Sequence, residues 1–170
     1  MPEVLSLRGQ TALSSFRIDQ LNQQARKLHL PEQAQLSSEF WYFIHSDAVL
    51  SANDVHRLCD LLTAEHPTTT ERSEQLCLIT PRLGTISPWS SKATDIAHNC
   101  GLNQINRLER GVAYYVEAST LSDAQWQAVA AELHDRMMEM VFDEPSQAAA
   151  LFAHHEPRAL TAVDVLTGGR

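Results

Sequence analysis

Histidine, cysteine and the acidic residues are the side chains with which a chain of this kind could do chemistry. Eight histidines are present: His29, His45, His56, His66, His98, His134, His154 and His155. No two stand at the i, i+4 spacing that brings a pair of imidazoles onto one helix face around zinc. His154-His155 reads as a solvated pair near a helix end. Cys59, Cys77 and Cys100 are odd in number, lack a C-x-x-C arrangement and each fall in an apolar stretch. That pattern suits buried free thiols in a reducing compartment. No G-x-G-x-x-G or G-x-x-x-x-G-K-[ST] run offers a phosphate loop, and no nucleophile sits between glycines on a strand-turn-helix elbow. Asp123, Asp135 and Glu139 read as a solvated face. Met137-Met138-Glu139-Met140 reads as core filling at helical spacing. The expected site inventory is therefore no catalytic residue, no metal ligand and no cofactor-binding residue.

One segment departs from this plain account. Between Pro81 and Leu102 lie five hydroxyl residues, two cations and a tryptophan, placed where a strand ends and a helix begins. Ser87 can cap the helix with Pro88 at its first position. Free amides at a helix N-terminus favour anions, and Arg82 and Lys92 add positive charge. Downstream, Arg107 and Arg110 precede the next strand. The candidate contact surface is Arg82, Thr85, Ser87, Trp89, Ser90, Ser91, Lys92, Asp95, Arg107 and Arg110. Trp89 is expected to be exposed there, as an aromatic anchor for a partner; the competing expectation is that it is buried within its own half, in the slot that Phe16 fills in the other.

The elements that must position these residues follow from periodicity. Strands are predicted over Val4 to Leu7, Phe40 to His45, Gln75 to Thr80 and Val112 to Ala118. Each is followed by a helical pattern. The first helix carries Ile18, Leu21, Ala25 and Leu28, stopped by Pro31. The second carries Val55, Leu58, Cys59 and Leu62 behind a Ser51 cap. The third carries Trp89, Ala93, Ile96 and Cys100, ending at Gly101. The fourth carries Trp126, Val129, Leu133, Met137 and Met140 behind a Ser122-x-x-Gln125 capping box.

The order strand, helix, strand, helix occurs twice, and the halves resemble one another. Ser122 follows Ser51 by 71 positions and Trp89 follows Phe16 by 73. The fold class is α+β, a layered sandwich of two pseudo-symmetric halves with a ferredoxin-like arrangement preferred in each. The expected domain spans 1–144, with halves of about 1–70 and 71–144. From Pro145 a short helix is expected to leave the domain, and 145–170 to begin a linker cut at Gly168-Gly169-Arg170.

The net charge of −8 and pI near 5.4 argue against nucleic acid and against an anionic membrane surface, both of which need a basic stripe. Met1-Pro2-Glu3 opens without a basic n-region or apolar core, and no apolar run reaches the roughly 20 residues of a membrane span. A cytoplasmic location is the expectation.

The run Thr85-Ile86-Ser87-Pro88-Trp89-Ser90-Ser91-Lys92-Ala93-Thr94-Asp95-Ile96-Ala97, followed by Ile105, Arg107, Glu109, Arg110 and Gly111, resembles the amino-terminal region of the large single-chain phosphoribosylformylglycinamidine synthases. Arg8-Gly9, Ala12-Leu13-Ser14 and Phe16-Arg17 are similar to that family's start, and Pro157-Arg158-Ala159-Leu160-Thr161 to its linker. The resemblance implies a PurS-like domain, a fused pair of small subunits, in an enzyme that makes an amidine with ATP and ammonia from glutamine. It implies that ATP and magnesium belong to the synthetase domains and the glutaminase Cys, His and Glu to a carboxy-terminal domain. It further implies docking on the synthetase and glutaminase domains of the same chain, with a part in organising the active site and ammonia passage. No nucleic acid or membrane partner is expected. Self-association of the isolated chain is left open. A free-standing α+β ligand-binding or regulatory module is the alternative.

Overall fold

The computed structural model describes residues 3–27, 35–65, 75–117 and 122–153. Nine regular elements alternate along them: β1 (Glu3–Thr11), α1 (Ser15–Lys27), β2 (Gln35–Ser46), α2 (Ala52–Leu62), β3 (Gln75–Pro81), α3 (Pro88–Asn99), β4 (Ile105–Glu117), α4 (Asp123–Leu133) and β5 (Glu139–Phe142). A 3-10 segment, Pro145–Phe152, follows. All pairings are antiparallel, in a single sheet of order β1-β2-β4-β3-β5.

Alternation along a strand assigns the two faces. Leu36, Tyr42 and Ile44 of β2 lie with Leu108, Tyr114 and Val116 of β4 and Leu7 of β1 on one face. Leu58 of α2 and Ala97 of α3 pack over one end of that face. Ala25 of α1 and Val129 of α4 pack over the other. Trp41, Phe43, Leu78, Ala113 and Tyr115 lie on the opposite face, under Ala148 and Leu151. Helices on one face of an antiparallel sheet make the expected α+β sandwich. Cys77 lies fully inside it, where burial, with a smaller contribution from Asp143, pushes its thiol up to about 12.

Serine starts all four helices. Ser14 accepts from the Arg17 amide, Ser51 from Asp54, Ser87 from Ser90 and Ser122 from Gln125, the last as the expected capping box. Gly101, just past the Cys100 cap of α3, has φ +81°, the left-handed conformation that glycine adopts without a Cβ penalty.

The duplication is visible in the register. Leu7 opposite Tyr42 in β1–β2 recurs as Cys77 opposite Tyr114 in β3–β4, both pairs on the helical face. β2 and β4 pair with each other, and Phe40 sits opposite Val112, its own repeat partner 72 positions on. A pseudo-dyad therefore runs through that pair, exchanging α1 with α3 and α2 with α4. Within each half the connected strands are direct antiparallel neighbours. This differs from the ferredoxin-like order, in which a βαβ unit is parallel and split by another strand.

Several boundaries differ from expectation: β2 begins at Gln35 and β4 at Ile105, so that Arg107 and Arg110 lie within a strand and not before it, and the ends of α4 and of the domain are also displaced. The fourth helix stops at Leu133 because Asp135 closes a tight turn: its carbonyl accepts from Met138 and Glu139, and its carboxylate from the Met137 amide. Met137 and Met138 are left exposed, and Met140 joins β5 opposite Thr80. Helical spacing across 126–140 concealed a turn and an edge strand. Pro145–Phe152 does not leave the domain either; Ala148 and Leu151 are buried against the sheet. Residues 154–170, Leu28, Pro31 and Ala118 lie outside the described residues.

Gly111 shows how tightly β4 is enclosed. A Cβ there would stand 2.9 Å from the Ile79 carbonyl oxygen and 3.1 Å from Leu78 and Thr80 side-chain carbons. Gly111→Ala should lower unfolding stability in urea by about 1–3 kcal/mol, as overpacking does. An unchanged midpoint would show that β3 yields without cost.

Candidate docking surface

The β3–α3 junction is built on a buried carboxylate. Glu109 of β4 is fully buried. Its Oε2 accepts from the Ser87 hydroxyl at 2.9 Å, and its Oε1 from the Ser87 amide at 3.3 Å and from Arg107 Nε at 3.1 Å. Arg107 and Glu109 are two apart on a strand, so both point to one face. Arg107 also donates to the Thr85 carbonyl at 2.6 Å and to the Leu151 carbonyl of the 3-10 segment at 3.1 Å. Its guanidinium lies 5.4 Å from the Phe152 ring centre, and that ring stacks on His45. One ion pair thus ties down the loop before α3, the helix cap and the 3-10 segment. A buried carboxylate needs this degree of satisfaction, because taking a charge out of water is costly unless it is paired and hydrogen-bonded.

The expected anion site at the α3 N-terminus is therefore already occupied from within. The Ser87 amide is held by Glu109, the Ser90 amide by the Ser87 hydroxyl and the Ser91 amide by the Ser87 carbonyl. The stabilising anion that the helix start favours is Glu109 itself.

Nine of the ten predicted surface residues divide into three groups. Thr85, Ser87 and Arg107 join the Glu109 network. Trp89 and Arg110 form a second cluster with β2: Trp89 stacks on Tyr42 at 5.8 Å, and the Arg110 guanidinium stands 4.5 Å from the Phe40 centroid and 4.9 Å from that of Trp89. Burial pushes the Tyr42 hydroxyl pKa up, opposed by the Arg110 charge. Arg82, Ser91, Lys92 and Asp95 are exposed on the loop and the outer side of α3, and the tenth, Ser90, lies outside these groups, buried beneath the helix start.

Two of the ten are not where the sequence reading puts them. Trp89 is half-buried, because its ring has Tyr42 and Arg110 to stack on; the large apolar side chain exposed in this segment is Ile86, at 64%. Ser90 is buried, and its hydroxyl has no hydrogen-bond partner among the described residues. Glu109, Phe40, Tyr42, Leu151 and Phe152 were missed as partners of the site. The Arg107-x-Glu109 spacing, two like-facing opposite charges in a strand, was the available signal.

Elsewhere, a cleft of about 690 Å³ lies beside the β1 edge, lined by the Arg8–Glu39 ion pair, Cys59, Asp60 and Glu65 among others. Cys59 is not an activated nucleophile there: burial, then Asp60 and Glu65, push its thiol up. Among the described residues no three His, Cys, Asp or Glu side chains gather as a metal site, and no helix is long and apolar enough to cross a membrane.

Removing the carboxylate at Glu109 would strand Arg107 and the Ser87 cap. Glu109→Ala should cost about 3–5 kcal/mol in denaturant unfolding. The double replacement Arg107→Met with Glu109→Leu should cost clearly less than the two single changes added together. Additive losses would mean that the two groups do not act as a pair.

The family model for the formylglycinamide ribonucleotide amidotransferase N-terminal domain matches residues 39–152. The match runs from β2 through the 3-10 segment and takes in the whole β3–α3 junction, the Glu109 network and the Arg110 stack. The chain belongs to the formylglycinamide ribonucleotide amidotransferase N-terminal family, and its role lies in that enzyme of purine biosynthesis.

Proposed function

We propose that the chain is the non-catalytic amino-terminal domain of a longer amidoligase, and that it docks on the synthetase domain through the segment from Arg82 to Asp95. In this reading the parent converts formylglycinamide ribonucleotide, glutamine and ATP to formylglycinamidine ribonucleotide. ATP and magnesium bind in the synthetase domains, and glutamine is hydrolysed in a carboxy-terminal domain. The domain helps to organise the active site and the passage of ammonia between them.

The observation that carries this reading is the contrast within one segment. Of its inner groups, Ser90 is buried and Ser87 is half-buried and locked to Glu109. Its outer groups, Arg82, Ile86, Ser91, Lys92 and Asp95, all face solvent. An ion pair with a fully buried carboxylate is an expensive way to hold a surface loop. It is understandable where the loop must present a fixed shape, since a preorganised surface loses little conformational entropy on docking. An exposed isoleucine between two cations supplies an apolar anchor with a charged rim.

Arg82 and Lys92 are exposed, and neither side chain is bound into the Glu109 network. Reversing both in the full-length enzyme, Arg82→Glu with Lys92→Glu, should lower turnover by about tenfold or more. The melting temperature of the 170-residue chain should stay nearly constant. Unchanged turnover in the full-length enzyme, or melting of the isolated chain, would place the interface elsewhere.

A further inference from the structure

Arg110 is a cation held in place without an anion. Its guanidinium lies between the Phe40 and Trp89 rings at 4.5 and 4.9 Å, and Trp89 is backed in turn by Tyr42. Stacking uses the faces of the guanidinium and leaves its N–H groups, which lie in the plane, free to donate. Among the described residues no carboxylate lies within ion-pair distance of Arg110, and no hydrogen bond from it is made. The contrast with Arg107 on the same strand is clear: that side chain spends its donors on Glu109, Thr85 and Leu151. Arg8 likewise has Glu39 at 2.6 Å. Among the described residues, Arg110 alone of these three β-sheet arginines has no ion-pair partner.

We propose that the Arg110 stack is the receptor for an aspartate or glutamate side chain of the partner synthetase domain. The inference rests on the docking reading given above and names the chemistry of its contact. Two aromatic rings within 5 Å hold the guanidinium in place, and its fork of N–H donors suits the two oxygens of a carboxylate. Beside the stack, Trp89, Lys92, Ala93, Ile96, Leu61 and Leu62 line an apolar groove of about 230 Å³. Leu61 and Ile96 are 40% and 44% exposed in it. The matching partner is therefore an acidic residue flanked by an apolar one, the acid on Arg110 with Lys92 at the rim and the apolar side chain in the groove. A free phosphate is the poorer fit. It must approach a chain of net charge −8 from bulk solution, whereas a carboxylate on the same polypeptide is delivered at high effective concentration.

Position 110 can itself report its neighbour. In the full-length enzyme carrying Arg110→Lys, carbodiimide activation should join the introduced amine to an Asp or Glu, and mass spectrometry of the digest should place that residue in the synthetase domain. A second variant, Arg110→Met, keeps bulk between the rings and removes the charge. It should lower turnover by about tenfold or more while the isolated chain melts as before. The proposal is overturned if no cross-link forms from position 110, or if it forms to a carboxylate within residues 1–170. It is also overturned if calorimetric titration of the 170-residue chain with inorganic phosphate shows binding that Arg110→Met abolishes. Should the Arg82 and Lys92 reversal lower turnover while these outcomes fail, the docking reading stands and only the carboxylate contact falls. If neither has an effect, both fall.

Discussion

The antiparallel pairing of β2 with β4 is the constraint from which the rest of the structure follows. It runs from Gln35 opposite Glu117 to Ile44 opposite Leu108 and places each half's inner strand against the other's. Each inner strand is thereby removed from a sheet edge, and the outer strands β1 and β3 flank the pair. Because the pairing is antiparallel about Phe40 and Val112, a helix from one half meets a helix from the other at each end. α1 packs with α4 and α2 with α3, so neither half can complete its apolar layer alone. This is how the described residues bury their apolar layer without a disulfide; all three cysteines are free.

The pseudo-dyad also shows how the halves diverge. The repeat offset of β2 and β4 carries Glu109 onto Ser37 and Arg110 onto Ser38. Ser37 is exposed, and the buried Ser38 hydroxyl finds no hydrogen-bond partner among the described residues. Trp89 corresponds to Phe16, which is 68% exposed and joins no ring stack among the described residues. The backbone frame is thus shared by both halves, while the Glu109 network and the Trp89 and Arg110 side chains belong to the second half, with Phe40 and Tyr42 of the first completing the ring cluster. Each half has an ion pair of its own, Arg8–Glu39 in the first and Arg107–Glu109 in the second, and the second is the one that holds the β3–α3 junction.

Much of this frame was legible because it rests on local rules. Serine caps and the Gly101 stop mark α2, α3 and α4 within the chain itself, and the 71- and 73-residue offsets announce the repeat before any pairing is known. The strand order was not legible. Nothing in Tyr42-Phe43-Ile44 states that it lies beside Leu108 and not beside a strand of another sheet. The end of α4 was misread because Met137 and Met140 keep helical spacing by coincidence, while the Asp135 turn is a competition between side-chain and backbone hydrogen bonding that periodicity does not register. The burial of Pro145–Phe152 was missed for a similar reason: a short run of alanines has no period, and its cover depends on Trp41 and Phe43 offering a second apolar face. Trp89 was assigned to a partner, whereas Tyr42 and Arg110 of this chain already lie against its ring. Site residues contributed by a distant strand, Phe40 and Tyr42 above all, become visible only when the sheet is assembled.

The central claim is that the β3–α3 segment, held from beneath by Glu109, is a surface built to be covered. Hydrogen–deuterium exchange, compared between the 170-residue chain and the full-length enzyme, tests it most directly. The account predicts that peptides spanning Arg82 to Asp95 gain protection in the full-length enzyme, while peptides from the exposed Met137-Met138 turn exchange alike in both. Equal exchange of the Arg82 to Asp95 peptides in the two contexts would contradict it.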